Sequence, residues 1–298
     1  MNEIWQNGTM MHVPVMPQEV ISHLDIKKDG MYVDGTIGLG GHTSLILNQL
    51  SDKGHLIGID RDAEAIEICK KSLSSHSSSL SLFNDSYNNL GSILNQFNNL
   101  KVDGILLDLG LSSMQLDKSN RGFSHQINSN LDMRYDVSQK TTASEIINKL
   151  SERNLADIIY FNGEERRARP IAKSIVKMRP LYTVNELIES IRRSTPPLKR
   201  NKTISRVFQA FRIAVNDELE KLDEFLSSFY KKLSIGGKIV IISFHSLEDR
   251  RVKHCFKALQ KENKIRILTK KPITASNQEI LKNSRSRSAK LRSAEKIY

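Results

Sequence analysis

An acid followed by a cluster of glycines stands out in VDGTIGLGGHT (33–43): Asp34, then Gly35, Gly38, Gly40 and Gly41, with His42 and Thr43 behind them. Glycines let a backbone turn tightly and approach a ligand with no Cβ in the way. No Gly-Lys-Ser/Thr ends the stretch, so it is not a phosphate-binding Walker loop. It is not a clean dinucleotide G-x-G-x-x-G either, since His42 and Thr43 stand where a further glycine is needed. Asp60 follows at about 20 residues, where a carboxylate accepts hydrogen bonds from both ribose hydroxyls of an adenosine. The lesser alternative is that it caps the next helix, 63–73. Asp85 and Tyr87 offer a carboxylate for an adenine amino group and a ring to stack on the base. Asp108 ends another apolar run and would face the reacting part of the ligand. With no diphosphate cradle, this set suits S-adenosylmethionine better than NAD or ATP.

Strands must carry these groups. MYVDGTI (31–37), HLIGID (55–60), LSLFND (80–85), VDGILLDLG (102–110), KIVIISF (238–244) and IRILT (265–269) read as short, mostly buried strands. Helical patterns at 43–50 and 63–73 alternate with them, which predicts an open, mostly parallel α/β sheet. Such sheets bind ligands beyond the carboxyl ends of their strands, where strand order reverses. From 116 to 214 no convincing strand appears, and 143–150, 155–163, 166–178 and 184–194 read as helices. Thr183 is placed to cap one and Gly163 to close another, with Pro180, Pro196 and Pro197 as punctuation. The expected organisation is therefore a discontinuous α/β domain, 1–115 and 215–298, holding a helical insertion at 116–214.

Charge points to a polyanion. The chain has 298 residues and a net charge of +12, and the excess is segregated. Residues 164–214 hold 13 Lys/Arg against 4 Glu, and residues 282–298 hold 6 against 1, so the remainder is near neutral. A near-neutral body with two basic segments fits a catalytic domain with a nucleic-acid footprint. The candidate phosphate contacts are Arg166, Arg167, Arg169, Lys173 and Lys177 on one predicted helix, and Arg285, Arg287, Lys290 and Arg292 in the tail. No apolar run approaches membrane-spanning length, and the N-terminus lacks the pattern of a secretory signal. Two cysteines, Cys69 and Cys255, argue against a disulfide framework and a thiolate-rich metal site, and for a reducing cytoplasm.

Segments spread from HVPVMPQEV (12–20) to NSRSRSAKLRSAEK (283–296) resemble one family. Between them lie DGTIGLGGHT (34–43), GIDRD (58–62), DGILLDLGLSSMQLD (103–117), RGFS (121–124), LDMRYD (131–136), EERRARPIAKSIV (164–176), FQAFRIAVNDEL (208–219) and GGKIVIISFHSLEDRRVK (236–253). The chain resembles the bacterial small-subunit (16S) ribosomal RNA cytosine-N(4) methyltransferases, the RsmH/MraW family. The resemblance implies a class I, Rossmann-like S-adenosylmethionine-dependent methyltransferase with a helical inserted domain. It implies that Gly40, Gly41 and His42, next to Gly38, bind S-adenosylmethionine, that Asp60 meets the ribose, and that Asp108 and Gln115 line the methionine side. Tyr87 stands where the family has a Phe, Met114 where it has a Pro, and Pro170 where it has a second basic residue. The implied partner is 16S ribosomal RNA, within the small subunit; monomer and homodimer stay open. A methyltransferase acting on DNA or another RNA is the alternative.

The implied reaction moves a methyl group to an exocyclic amino nitrogen whose lone pair is delocalised into the ring. Hydrogen-bond acceptors must favour its pyramidal form, and in-line positioning must supply much of the rate. The acid-Pro-Pro-aromatic segment common in amino methylation is replaced by DLGLSS (108–113). Asp108 and the carbonyls of 109–111 are the first candidate acceptors, then Ser112 and Ser113. His245 in SFHSLEDR (243–250) could face the base pocket or be a hydrogen-bonded structural residue. Asp132 and Arg134 could close over the cofactor, hold RNA, or simply pair. No His/Asp/Glu spacing suggests a metal, and none is expected.

Overall fold

The computed structural model describes residues 3–6, 9–12, 14–117 and 120–298. Strands are β1 (Glu3–Gln6), β2 (Thr9–His12), β3 (Met31–Asp34), β4 (His55–Asp60), β5 (Leu80–Asn84), β6 (Val102–Asp108), β7 (Leu233–Ser243), β8 (Ile265–Ile267) and β9 (Lys290–Lys296). Helices are α1 (Pro17–Leu24), α2 (Gly41–Leu47), α3 (Ala63–Ser72), α4 (Leu90–Asn95), α5 (Ser113–Asp117), α6 (Ala143–Lys149), α7 (Glu152–Gly163), α8 (Ala168–Met178), α9 (Val184–Ser194), α10 (Arg200–Asn216), α11 (Glu218–Ser228), α12 (Ser246–Lys261) and α13 (Asn277–Lys282). The chain forms two compact units, Met1–Gly110 with Leu219–Tyr298, and Leu111–Glu218. The expected insertion, 116–214, falls inside the second.

The first unit is built on a seven-stranded sheet in the order β5-β4-β3-β6-β7-β9-β8. β5, β4, β3, β6 and β7 run parallel, and β9 is antiparallel to both β7 and β8. The two-residue period of a strand sends alternate side chains to opposite faces. Ile105, Leu107, Ile239 and Ile241 pack on one face with Ile93, Phe225 and Phe256 of α4, α11 and α12. Leu106, Val240 and Ile242 pack on the other with Val20, Ile46 and Ile66 of α1, α2 and α3. Burial on both faces explains why these strands read as continuous apolar runs. The result is a Rossmann-like α/β unit of the class I type. The chain leaves β3 for β4 and β5 on one side, and for β6 and β7 on the other. Strand order therefore reverses between β3 and β6.

β9 was not expected. Its sequence, KLRSAEK, is too polar to read as a buried strand, yet Leu291, Arg292, Ser293 and Ala294 are all buried. The polar members are matched internally: Ser293 Oγ lies 2.7 Å from His23 Nδ1, and its N–H donates to Thr269 Oγ1 at 3.0 Å.

The second unit is helical, with one core drawing on α6 to α10. Capping boxes start α6 (Thr142 with Glu145) and α9 (Thr183 with Glu186), the latter at the expected residue. Gly163 has another role than the one expected. Glu164, not Gly163, takes the left-handed conformation that ends α7. A Cβ on Gly163 would lie 2.7 Å from the carbonyl oxygen of Arg206, so the glycine permits close approach of α7 and α10. Pro170 sits in the first turn of α8, where a missing N–H breaks no intrahelical bond. Arg166 and Arg167 consequently precede the helix rather than belong to it. Among the described residues, no helix is long and apolar enough to cross a membrane.

Candidate active site

The glycine loop is held in place by short polar bridges. β3 ends in the buried Asp34, whose carboxylate accepts the Thr43 hydroxyl at 2.8 Å and the Thr36 N–H at 3.2 Å. Burial pushes the Asp34 carboxyl upward against the pull of His42 beside it. Gly38 and Gly40 adopt positive φ, +52° and +81°. A Cβ on Gly40 would lie 3.0 Å from Leu73 Cδ1, so this position serves both the turn and its packing on α3. Gly41 begins α2 with no side chain capping it. Cys69, on α3, donates to the carbonyl of Gly38 at 3.3 Å. Burial pushes its thiol up to about 12, which suits a packing residue and not a nucleophile.

Asp60 ends β4 and grips the loop. One carboxylate oxygen accepts the Gly38 N–H at 2.9 Å and the other the Asp62 N–H at 2.9 Å. Desolvation outweighs these donors and lifts its pKa to about 6. The helix-cap role belongs to Asp62, whose side chain accepts from Glu64 N–H at the start of α3. Asp60 therefore keeps lone pairs free for a ligand.

Asp108 ends β6 at the reversal point. Its N–H donates to Thr36 Oγ1 at 2.6 Å, tying β6 to the glycine loop. Its Oδ2 lies 3.6 Å from Nε2 of the buried His42, too far for a hydrogen bond. Both ring nitrogens of His42 and Oδ1 of Asp108 are buried without a hydrogen-bond partner among the described residues. Native interiors leave few such atoms unpaired, because each costs about 1–3 kcal/mol. Three of them together leave hydrogen-bonding capacity at this strand end that the described residues do not use.

Other expected residues have local duties. Tyr87 sets its ring edge-on to Phe225 at 5.6 Å and packs on the core beneath the sheet. Asp85 accepts from Ser86 N–H and Asn89 Nδ2, each at 2.7 Å. His245 is the N-cap of α12: its Nδ1 accepts the Glu248 N–H, and the Glu248 carboxylate accepts the His245 N–H. In the second unit Ser112 and Gln115 form a capping box at α5, Ser112 Oγ accepting the Gln115 N–H at 3.3 Å and Gln115 Oε1 the Ser112 N–H at 3.1 Å. Ser113 opens that helix, and its side chain lies outside the described residues. Arg134 makes a two-pronged contact with Asp132 at 2.6 and 2.8 Å and also holds the carbonyls of Val137 and Gln139, the pairing alternative.

The basic candidates divide. Arg166, Arg167, Arg169, Lys173 and Lys177 are exposed, the last three spaced by four along α8. In the tail Arg287 is exposed and Arg285 half-buried. Arg292 is a correction: it is buried within β9, with Nε 2.6 Å from Asp249 on α12, so its charge is satisfied inside the protein. Lys290 lies 3.7 Å from the same carboxylate. Thr36 and Thr43, which brace Asp34 and Asp108, were not expected. Their signal was the placement of two hydroxyls two and nine residues after Asp34.

A family model described as the MraW methylase family matches residues 9–297. The chain belongs to the MraW methylase family. Curated relatives of this methylase span nearly its whole length. The Ribosomal RNA small subunit methyltransferase H of Thermosipho africanus is 48% identical over 96% of this chain and 98% of its own. That of Thermotoga neapolitana is 46% identical over 97% of both, and that of Trichormus variabilis 45% identical over 98% and 93%.

Proposed function

We propose that this methylase transfers a methyl group from S-adenosylmethionine to the exocyclic N(4) of a cytidine in small-subunit ribosomal RNA, acting in the cytoplasm on the RNA within the subunit. The full-length match to relatives of that name carries the reading. The unpartnered His42 and Asp108 at the reversal point support it independently. The donor set fits S-adenosylmethionine, whose hydroxyl, amino and carboxylate groups supply what those atoms lack. When bound, it supplies a methyl carbon made electrophilic by an attached sulfonium.

The chain's own residues would do the following. Asp60 would hold the ribose hydroxyls on lone pairs left after binding Gly38 and Asp62. The positive-φ turn at Gly38–Gly40 would bring backbone against the nucleoside. Asp108, fixed by Thr36, would accept from the donor's polar end or from the cytidine amino group. The second role would favour a pyramidal, nucleophilic nitrogen. No covalent enzyme intermediate is needed, in keeping with the raised thiols of Cys69 and Cys255, the latter pushed up to about 11. The target base must leave its stack to be reached.

The test is transfer of a labelled methyl group to purified small subunits from cells lacking the protein, followed by nucleoside analysis. Label in N(4)-methylated cytidine is the expected result. Label confined to another base, to DNA or to other RNA would overturn the proposal.

A further inference from the structure

Two segments of the helical unit are fastened together by internal tethers. Buried Glu165, between α7 and α8, accepts the Thr203 hydroxyl at 3.1 Å, and Arg206 Nη1 lies 3.4 Å from the same carboxylate. Arg167 donates from Nε and Nη2 to the carbonyl of Ser194, at 3.1 and 2.8 Å. The turn 164–169 is thereby fixed against the connection 192–202. These 17 residues hold eight Lys/Arg against Glu164 and Glu165, and Glu165 is turned inward. Arg166, Arg169, Arg192, Lys199 and Lys202 are exposed, and their side chains have no hydrogen-bond or ion-pair partner among the described residues. Cations crowded this way repel one another, and a polyanion relieves the repulsion.

At the tip of the second segment Leu198 is completely exposed, at 101% relative accessibility, directly after Pro196 and Pro197. The prolines fix two φ angles and stiffen the approach to it. An apolar knob on a stiff basic loop suits packing against an unstacked base, the form in which RNA is read.

We infer that this fastened pair of segments is an RNA dock, with phosphates on the five free cations and Leu198 against an unstacked base. The inference rests on the proposed RNA substrate and adds where the chain grips it.

Full-length protein binding to end-labelled, deproteinised small-subunit rRNA, measured across salt concentrations, tests the dock. R166A/R169A and K199A/K202A should each weaken binding, and each should make the slope of log affinity against log salt shallower by about 1.4. L198A should weaken binding with the slope unchanged. K71A, an exposed cation on α3, should match the wild type. Unaltered far-ultraviolet circular dichroism and an unaltered urea-unfolding midpoint show that each variant is folded. Wild-type affinity and slope in both double variants overturn the dock. So does binding lost only on intact subunits, which assigns the surface to a ribosomal protein. Wild-type binding by L198A alone removes the base contact and leaves the phosphate dock. Labelled methyl transfer by the wild type to purified small subunits is run in parallel: its absence refutes the proposed substrate, whatever the variants do.

Discussion

The two basic segments have similar composition and opposite surroundings. On α8 in the helical unit, Arg169, Lys173 and Lys177 form an exposed stripe. In the tail, Arg292 is buried in a strand and paired with Asp249, and Lys290 leans on the same acid. Cationic composition states that charge exists; the available partners decide whether it faces solvent. Stability separates the two cases most sharply. Asp249→Ala leaves Arg292 buried and unpaired, which should cost about 3–5 kcal/mol. Lys173→Ala should stay within about 0.5 kcal/mol of wild type. Urea unfolding measures both, and equal midpoints would erase the distinction.

The same contrast operates at the strand ends. His42 and Asp108 keep unused hydrogen-bonding capacity, whereas Asp85 spends its own on neighbouring groups. Asp108→Asn should weaken S-adenosylmethionine binding by about 10- to 150-fold, the value of a hydrogen bond to a charged group at about 1.5–3 kcal/mol. The fold should survive, because Asp108 holds Thr36 through its backbone. Calorimetry reads the affinity and single-turnover methyl transfer reads the chemistry. Lost binding with intact single-turnover chemistry would confine Asp108 to the cofactor.

Asp60 lies between these extremes, since it is partly used and partly free. Burial raises its pKa to about 6, against about 3.9 for an unperturbed Asp. The folded protein thus holds a proton that the unfolded chain releases. The stability this gives is complete below about pH 4 and is lost as pH rises through 6. Asp60→Asn, neutral throughout, should gain stability relative to wild type over that rise. Wild-type cofactor affinity should climb over the same interval, by at most about tenfold per pH unit, as the ribose-accepting carboxylate forms. Flat profiles from unfolding and from calorimetry between pH 4 and 7 would show that Asp60 does not titrate there.

The sheet was legible because strands buried on both faces leave apolar runs bounded by turns, as in HLIGID and GILLD. β9 was illegible because what permits Arg292, Ser293 and Thr269 to be buried lies in residues distant in sequence, Asp249 and His23 among them. The glycine loop and the acids ending β4 and β6 were legible as residue types at intervals. Whether an acid or a histidine remains available was not. Ser112 and His245 look as reactive in sequence as Asp108, and their capping bonds appear only once the helix beginning beside each is in place.

His245 permits the smallest and most discriminating test of that distinction. Its ring accepts the Glu248 N–H and starts α12, so His245→Ala should cost about 1 kcal/mol of stability. Asparagine is among the best N-cap residues but cannot serve as an imidazole acid or base. If capping is the whole role, His245→Asn restores the unfolding midpoint and methyl transfer together. If the ring also acts on the substrate, His245→Asn recovers the midpoint and leaves turnover depressed. That second outcome would put the His245 Nε2, which like the His42 nitrogens is buried without a hydrogen-bond partner among the described residues, to work on the substrate and place His245 with His42 and Asp108.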